Sequence, residues 1–319
     1  MVNETKLRIV GILLAIVGAS FWGLGGTVSD FLFQQRDIDI NWYVTARLLI
    51  SGFVLLMIYK IINRQSSLFD IFKNKHSLFQ LFIFSIFGML LVQYAYMASI
   101  NFGNAAIATL LQYIAPVYII IWYVIRRKER FKLFDLIAIV LTLSGTFLLL
   151  TNGSFSKLVV STPSVIWGII SGLALAFYTL YATQLLTRFP SILVVGWAML
   201  ISGIVMNFKA PIWDFDWSHL TGSTVLYLTF GIIAGTAIAF FFFIESLNYL
   251  SAKETTLFGT IEPVMAILAS ALWLNVTFHS YQLIGILLII VLILALSLKK
   301  QRNICLLYTS DAADDSLRV

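Results

Sequence analysis

The stretch GTIEPVMAIL at 259–268 sets a carboxylate, Glu262, directly before a helix-breaking proline, Pro263. The run around it is otherwise apolar between Glu254 and Leu274, about the length that crosses a bilayer. Glu262 lies about eight residues into that run, or about 12 Å at the helical rise. A charge near a bilayer centre costs about 2.5–3.5 kcal/mol on insertion scales. The carboxyl therefore reads as a binder of a substrate amine, as a proton carrier that loads and unloads, or as a protonated acid bonded across a helix interface. Pro263 has no N–H and leaves the carbonyl of Gly259 without its helical partner. Pro116 does the same to Gln112. In lipid such carbonyls are tolerated where they face protein or a wet cavity. The two prolines thus mark kinks that line a cavity, or packing kinks whose carbonyls are bonded by Thr109 or Thr256.

Other polar side chains fall inside apolar runs. Arg47 is the one basic residue well inside such a run. It draws a substrate carboxylate, pairs with an acid, or snorkels to the headgroups. Gln93 and Gln112 sit mid-run and contact substrate or bond between helices. Trp22, Tyr178 and Tyr113 are aromatic walls of a cavity or ordinary packing. Together Glu262, Gln112, Tyr113, Gln93, Trp22, Tyr178 and Arg47 form the candidate substrate site. Glu262 is the only acid read as deep. No clustered His and Cys ligands and no nucleotide-binding fingerprint occur, so no metal or other cofactor is expected. GLGG at 23–26 reads as close helix packing.

The elements that must position these residues follow from composition. The 319 residues are 60% hydrophobic and only 11% charged, with a mean hydropathy of +0.93. A soluble domain would be about a quarter charged. One cysteine, Cys305, excludes an intrachain disulfide framework. Runs long enough to span lipid fall near 9–31, 42–62, 78–100, 104–125, 133–151, 163–187, 191–209, 222–247, 254–274 and 280–298. They are too long and too uniformly apolar for barrel strands. The first continues through Phe31 without a cleavage pattern and reads as a retained span.

Lys and Arg set the orientation. With both ends in the cytoplasm, inner loops hold 16 basic residues, among them RRKERFK at 126–132, Arg188, Lys253 and Lys299. Outer loops hold 3, namely Arg36, Lys157 and Lys209. This asymmetry explains the net charge of +6 as topology, and no nucleic-acid partner is expected.

The chain also repeats itself. SINFGNAAIATLLQYIAP (99–116) aligns with SLNYLSAKETTLFGTIEP (246–263), bringing Pro116 onto Pro263, 147 residues later. Gly88 meets Gly235 at the same spacing, LISG occurs at 49–52 and 200–203, and SFW at 20–22 parallels AFY at 176–178. Five spans per copy is odd, so the second copy is inverted. The expected fold is an all-α membrane protein of ten transmembrane helices, built as two inverted five-helix repeats at 1–152 and 160–303. Inverted repeats are a design of secondary transporters, with the site near the midplane.

SFWG in the first span, RLLISG in the second, Asn-x3-Ala-x10-Pro at 101–116 and 248–263, and IEPVMAILASALWL in the ninth carry a family likeness. Over about residues 7–300 the chain resembles the EamA-type members of the drug/metabolite transporter superfamily. The resemblance implies a carrier for small metabolites, often amino acids and frequently in the export direction, in the inner (cytoplasmic) membrane. Asn275 departs from the acid often found near the outer end of the ninth span. A further departure is ICLLYTSDAADDSLRV, which switches abruptly to acidic and polar; 304–319 reads as a non-native tail.

An alternating-access secondary transporter, with protons as a candidate coupling ion, is thus the leading expectation. An intramembrane lipid-modifying enzyme would want several acids or histidines at one depth. A channel would want polar rings, and neither pattern is present. The expected partners are a small metabolite and the lipid bilayer, and the sequence leaves the oligomeric state open.

Overall fold

The computed structural model describes residues 2–126, 131–215 and 220–298. The RRKERFK anchor in part, the basic residues from Lys299 onward and the 304–319 tail lie outside the described residues. Among those described, every regular element is helical. Eight helical runs are long and apolar enough to cross a membrane, and two shorter apolar helices accompany them.

We number the runs α1 (Val2–Gln35), α2 (Ile40–Ile62), α3 (Lys75–Phe102), α4 (Ala105–Ile125), α5 (Leu133–Thr151), α6 (Thr162–Leu186), α7 (Ser191–Asn207), α8 (Gly222–Ser246), α9 (Ala252–Gly259 continuing as Ile261–Leu272) and α10 (Ser280–Leu298). Uniformly apolar segments take this form because a helix satisfies its backbone internally. The starts are set by short polar side chains that accept a first-turn N–H. Asp39 does this for α2, Asn104 for α4, Ser161 for α6, Thr221 for α8 and Ser251 for α9.

Packing follows a paired scheme. α1 lies mainly against α8 and α9, while α6 lies against α3 and α4. α2 packs on α7, and α5 on α10. Buried Leu32, Tyr43, Leu48, Phe84, Met97 and Met199 fill the centre. Phe53, Phe79, Leu143, Leu226 and Leu287 stay exposed on the perimeter, the face a bilayer covers.

Irregularities recur at fixed spacing. α3 widens to a π-helical segment at Phe84–Leu90, and α8 does so at Phe230–Ile238. α4 breaks at Tyr113, which ends Ala105–Gln112 before the helix resumes at Ala115. α9 breaks at Thr260 and resumes at Ile261. The caps Asn104 and Ser251, and the breaks Tyr113 and Thr260, are each 147 residues apart. Each proline sits in the first turn after its break, where its missing N–H costs little.

The π segments are bonded from the α2–α7 pair. Ser51 of α2 donates its hydroxyl to the carbonyl of Ile232 at 2.8 Å. The Ser202 hydroxyl of α7 lies 2.7 Å from the carbonyl of Ser85 and shares its proton with the Ala198 carbonyl of its own helix at 2.6 Å. Both serines belong to the repeated LISG, and its glycines make the crossing. A Cβ on Gly52 would lie 2.6 Å from the Leu200 nitrogen, and one on Gly203 2.7 Å from the Leu49 nitrogen. Only a residue without a side chain permits that approach.

Candidate functional site

The paired helices leave a cavity of about 560 Å³ between them, within the usual size of small-molecule sites. It brings together all seven candidate residues. Trp22 comes from α1, Arg47 from α2, Gln93 from α3, Gln112 and Tyr113 from the break in α4, Tyr178 from α6 and Glu262 from the break in α9. Pro116 also lines it, whereas Pro263 is buried behind Glu262.

The two breaks meet at Tyr113. Its hydroxyl lies 3.1 Å from a carboxyl oxygen of Glu262 and 3.2 Å from the carbonyl of Gly259. Gly259 is the residue whose carbonyl Pro263 deprives of a helical partner. The hydroxyl of one broken helix therefore supplies the bond missing from the other. Thr109, beside the first break, is committed elsewhere: its hydroxyl donates to the Ala105 carbonyl at 2.8 Å and lies 2.7 Å from the Tyr96 hydroxyl. Gly23 of α1 faces the Glu262 carbonyl so closely that a Cβ would overlap it, which is the close packing expected of GLGG.

Arg47 does not snorkel. It is 4% exposed, turned inward, and its Nη1 lies 3.3 Å from the sulfur of Met97. Its Nε has no hydrogen-bond partner. The reason is position: α2 is buried against α7 and α8 at this depth, so the side chain meets the cavity before it can reach headgroups.

The remaining walls are mixed. Gln112 donates to the Ser171 hydroxyl at 2.7 Å, an interhelical bond to α6. Gln93 is buried at the cavity edge. Trp22 packs its ring 4.8 Å from both Phe240 and Phe243, and Tyr178 lies 4.8 Å from Phe84. Tyr96 lines the same space.

Glu262 is not the only deep acid. Asp30 of α1 is 3% exposed and accepts the Ala105 N–H at 2.9 Å, capping the first turn of α4 from across the fold. Asp135 is buried as well, accepting the Lys132 N–H at the start of α5. At the end of an apolar run Asp30 looks interfacial, and only the SDFLF context hints that the helix continues past it to Gln35. Glu254, at the start of α9, stands at the surface, 2.8 Å from Arg8.

The cavity has a direction. Leu186, Ser191, Leu247 and Leu296 line it at the ends of α6, α7, α8 and α10, beside the turn between α6 and α7 that bears Arg188. At the opposite ends Phe31 lies 4.7 Å from Tyr227 and stacks at 5.2 Å on Trp273. There Ser99 and Ser164 exchange hydroxyl-to-carbonyl bonds at 2.9 and 2.8 Å.

Membrane-length helices around an internal chamber that holds both a carboxyl and a guanidinium define a multi-pass membrane protein with an internal cavity. The chain belongs to the EamA-like transporter family, whose model matches residues 9–151 and 162–298, and it is a membrane transporter. It is 30% identical over 295 residues to the "uncharacterized inner membrane transporter YicL" of Salmonella typhimurium, covering 92% of this chain and 97% of that protein. An "uncharacterized transporter" of Archaeoglobus fulgidus is 27% identical over 82% of this chain and 88% of its own length. A solved crystal structure shares the fold at a TM-score of 0.59 and 17% identity, covering 91% of this chain and 95% of that one.

Proposed function

We propose that the protein is a ten-span secondary carrier in the cytoplasmic membrane, with both termini inside, that moves small metabolites by alternating access. Its two five-helix halves, 1–152 and 160–303, are inverted copies that close on the chamber from opposite sides. The observation that carries this reading is the reciprocal bonding of the π segments. Ser51 holds the α8 segment and Ser202 holds the α3 segment. Two halves that brace each other by corresponding serines suit the exchange of two related arrangements, which alternating access requires. The twofold match of the family model is in keeping with this.

Amino acids and related compounds, moved outward, are the substrates the family likeness suggests. Glu262 is assigned as the group that exchanges a proton. The open end at Leu186 and Leu247 corresponds to a cytoplasm-facing state under the orientation that the basic loops favour. In proteoliposomes, a carrier gives saturable uptake and counterflow of preloaded substrate, and a proton-linked one responds to an imposed pH gradient. Non-saturable flux without counterflow would replace the carrier by a channel.

A further inference from the structure

The chamber contains a charge that the protein itself leaves uncovered. An arginine stays protonated wherever it sits, and a buried charge without a partner is costly. Arg47 has an unpartnered Nε, and its Nη1 meets only the weak acceptor sulfur of Met97. Among the described residues the ion pairs are Arg8–Glu254 and Lys73–Asp70, neither of which includes it. Glu262 lines the same cavity within electrostatic reach.

The titratable and charged groups around Glu262 are few. Tyr113 faces it from α4, Tyr96 from α3 and Arg47 from α2. From α1 the nearest is Asp30, occupied by the Ala105 N–H, and Glu254, on the first part of α9, is turned out to Arg8. Tyr113 brings one hydroxyl proton to two acceptors, Glu262 at 3.1 Å and Gly259 at 3.2 Å. A proton on Glu262 resolves that conflict. The carboxylic O–H then donates to the Tyr113 oxygen, and the phenol donates to the Gly259 carbonyl. Without that proton, the carboxylate and the carbonyl compete for one hydroxyl, and the carboxylate's charge is the natural counter-charge to Arg47.

We propose that Arg47 recognises the carboxylate of the transported molecule, and that this carboxylate enters only when Glu262 is protonated, because the two carboxylates compete for one guanidinium. This rests on the reading of the chamber as a transport site and adds its substrate chemistry. The empty chamber is neutral as Arg47 with ionised Glu262. For a substrate whose only charge is its carboxylate, which excludes a zwitterionic amino acid, the loaded chamber is neutral as Arg47 with the substrate carboxylate and a protonated Glu262. The mixed states bury net charge, which a membrane interior penalises, so the changeover between faces is confined to the two neutral forms. One proton then travels with each carboxylate. The body of the substrate is largely apolar, because Trp22, Tyr178, Phe240 and Phe243 form an aromatic part of the wall.

The test uses the purified full chain and probes that share one apolar body. 3-Phenylpropionate is an anion, 2-phenylethylamine a cation and 3-phenylpropan-1-ol neutral, and binding is read as a rise in unfolding temperature. 3-Phenylpropionate is expected to bind, and about tenfold more tightly near pH 5.5 than near pH 8, within the range of ordinary couplings. Arg47→Gln should abolish its binding, and Arg47→Lys should keep it in weakened form. Glu262→Gln, which leaves Arg47 in place, should keep binding and lose the pH dependence. Stabilisation by the amine alone, by none of the three, or equally in Arg47→Gln overturns the assignment, as does a pH dependence that survives in Glu262→Gln. Counterflow of 3-phenylpropionate separates the underlying reading: a probe that binds in this pattern without being carried removes the carrier and leaves the site.

Discussion

The Ser51 hydroxyl reaches across the fold to the Ile232 carbonyl at 2.8 Å, inside the π-helical segment of α8. A π segment inserts one residue and leaves a carbonyl poorly placed for its own helix, so a donor from a neighbour has a defined target. Ser202 does the same for Ser85 in the π segment of α3. Hydrogen bonds between membrane helices contribute on average about 0.6 kcal/mol and at most about 1.7 kcal/mol. Ser51→Ala and Ser202→Ala are therefore each expected to lower stability within that range, the second by less because the Ser202 proton is shared with the Ala198 carbonyl, in unfolding of the protein in mixed micelles. A loss at one site with none at the other would mean that the two halves are not mechanically equivalent.

The neighbouring glycines make a stronger demand. Gly52 and Gly203 bring the α2 and α7 backbones together, and a Cβ at either would sit under 3 Å from backbone nitrogen. Neither backbone can yield without parting the helices. Gly52→Val and Gly203→Val should each cost about 1–3 kcal/mol, the usual penalty of overpacking, and should loosen the serine bonds beside them. Wild-type stability in either variant would mean that the crossing is wider than found.

These two residues show what a sequence conveys and what it withholds. LISG stood out as a repeated word, and its recurrence implied duplicated spans. Nothing in four letters tells that the serine serves a π segment on another helix, because that segment is made by packing and not by its own residue preferences. The long apolar helices themselves were legible because lipid demands such runs. The residues of the chamber were legible for the opposite reason, since Glu262, Arg47 and Gln112 are expensive where they stand. Among the alternatives for Arg47 the sequence could not choose: snorkelling depends on whether lipid or protein covers α2, and a single sequence does not order helices around a chamber. Asp30 escaped notice because its partner is a backbone N–H, at Ala105, which every sequence position possesses.

Asp30 gives a prediction with two arms. Its carboxylate oxygen takes an N–H at the first turn of α4, where a negative group also meets the favourable end of the helix dipole. Asp30→Asn keeps an acceptor and loses the charge. Asp30→Leu loses both and leaves the Ala105 N–H unpaired in a buried place. Loss of a capping acceptor costs about 0.5–2 kcal/mol, so the leucine variant should fall in that range and the asparagine variant well below it, as read by thermal unfolding. Equal losses would assign the effect to charge alone.

Tyr113 joins the two broken helices, and its removal should separate stability from coupling. Tyr113→Phe keeps the ring in its pocket but leaves the Gly259 carbonyl without the hydroxyl at 3.2 Å. A modest loss of stability is expected, below about 2 kcal/mol. Transport should fall further than stability does, because the variant leaves Glu262 without its aligned partner at 3.1 Å. Glu262→Gln preserves an acceptor for the tyrosine, so it should fold as the wild type while transport is lost or ceases to respond to pH. Full transport with an unchanged pH response in Glu262→Gln would take this carboxyl out of the mechanism.

The direction in which the chamber opens is testable by labelling. The Ser191 and Leu247 positions line one end of it, whereas Phe31, Tyr227 and Trp273 meet ring against ring at the opposite helix ends. With Cys305 replaced by serine, single cysteines at 191 and 247 should react with a membrane-impermeant thiol reagent in inside-out vesicles and stay protected in right-side-out ones. Loss of aromatic contact at the closed end should shift that balance, because a ring pair contributes about 0.5–1.5 kcal/mol beyond burial. That is enough to change the populations of two nearly equal states several-fold. Phe31→Ala is therefore expected to slow labelling at 191 from the inner face and to expose a cysteine at Trp22 to reagent from the outer face. If 191 and 247 react from the outer side in the parent protein, the orientation inferred from the basic loops is reversed, and with it the state in which the chamber stands open.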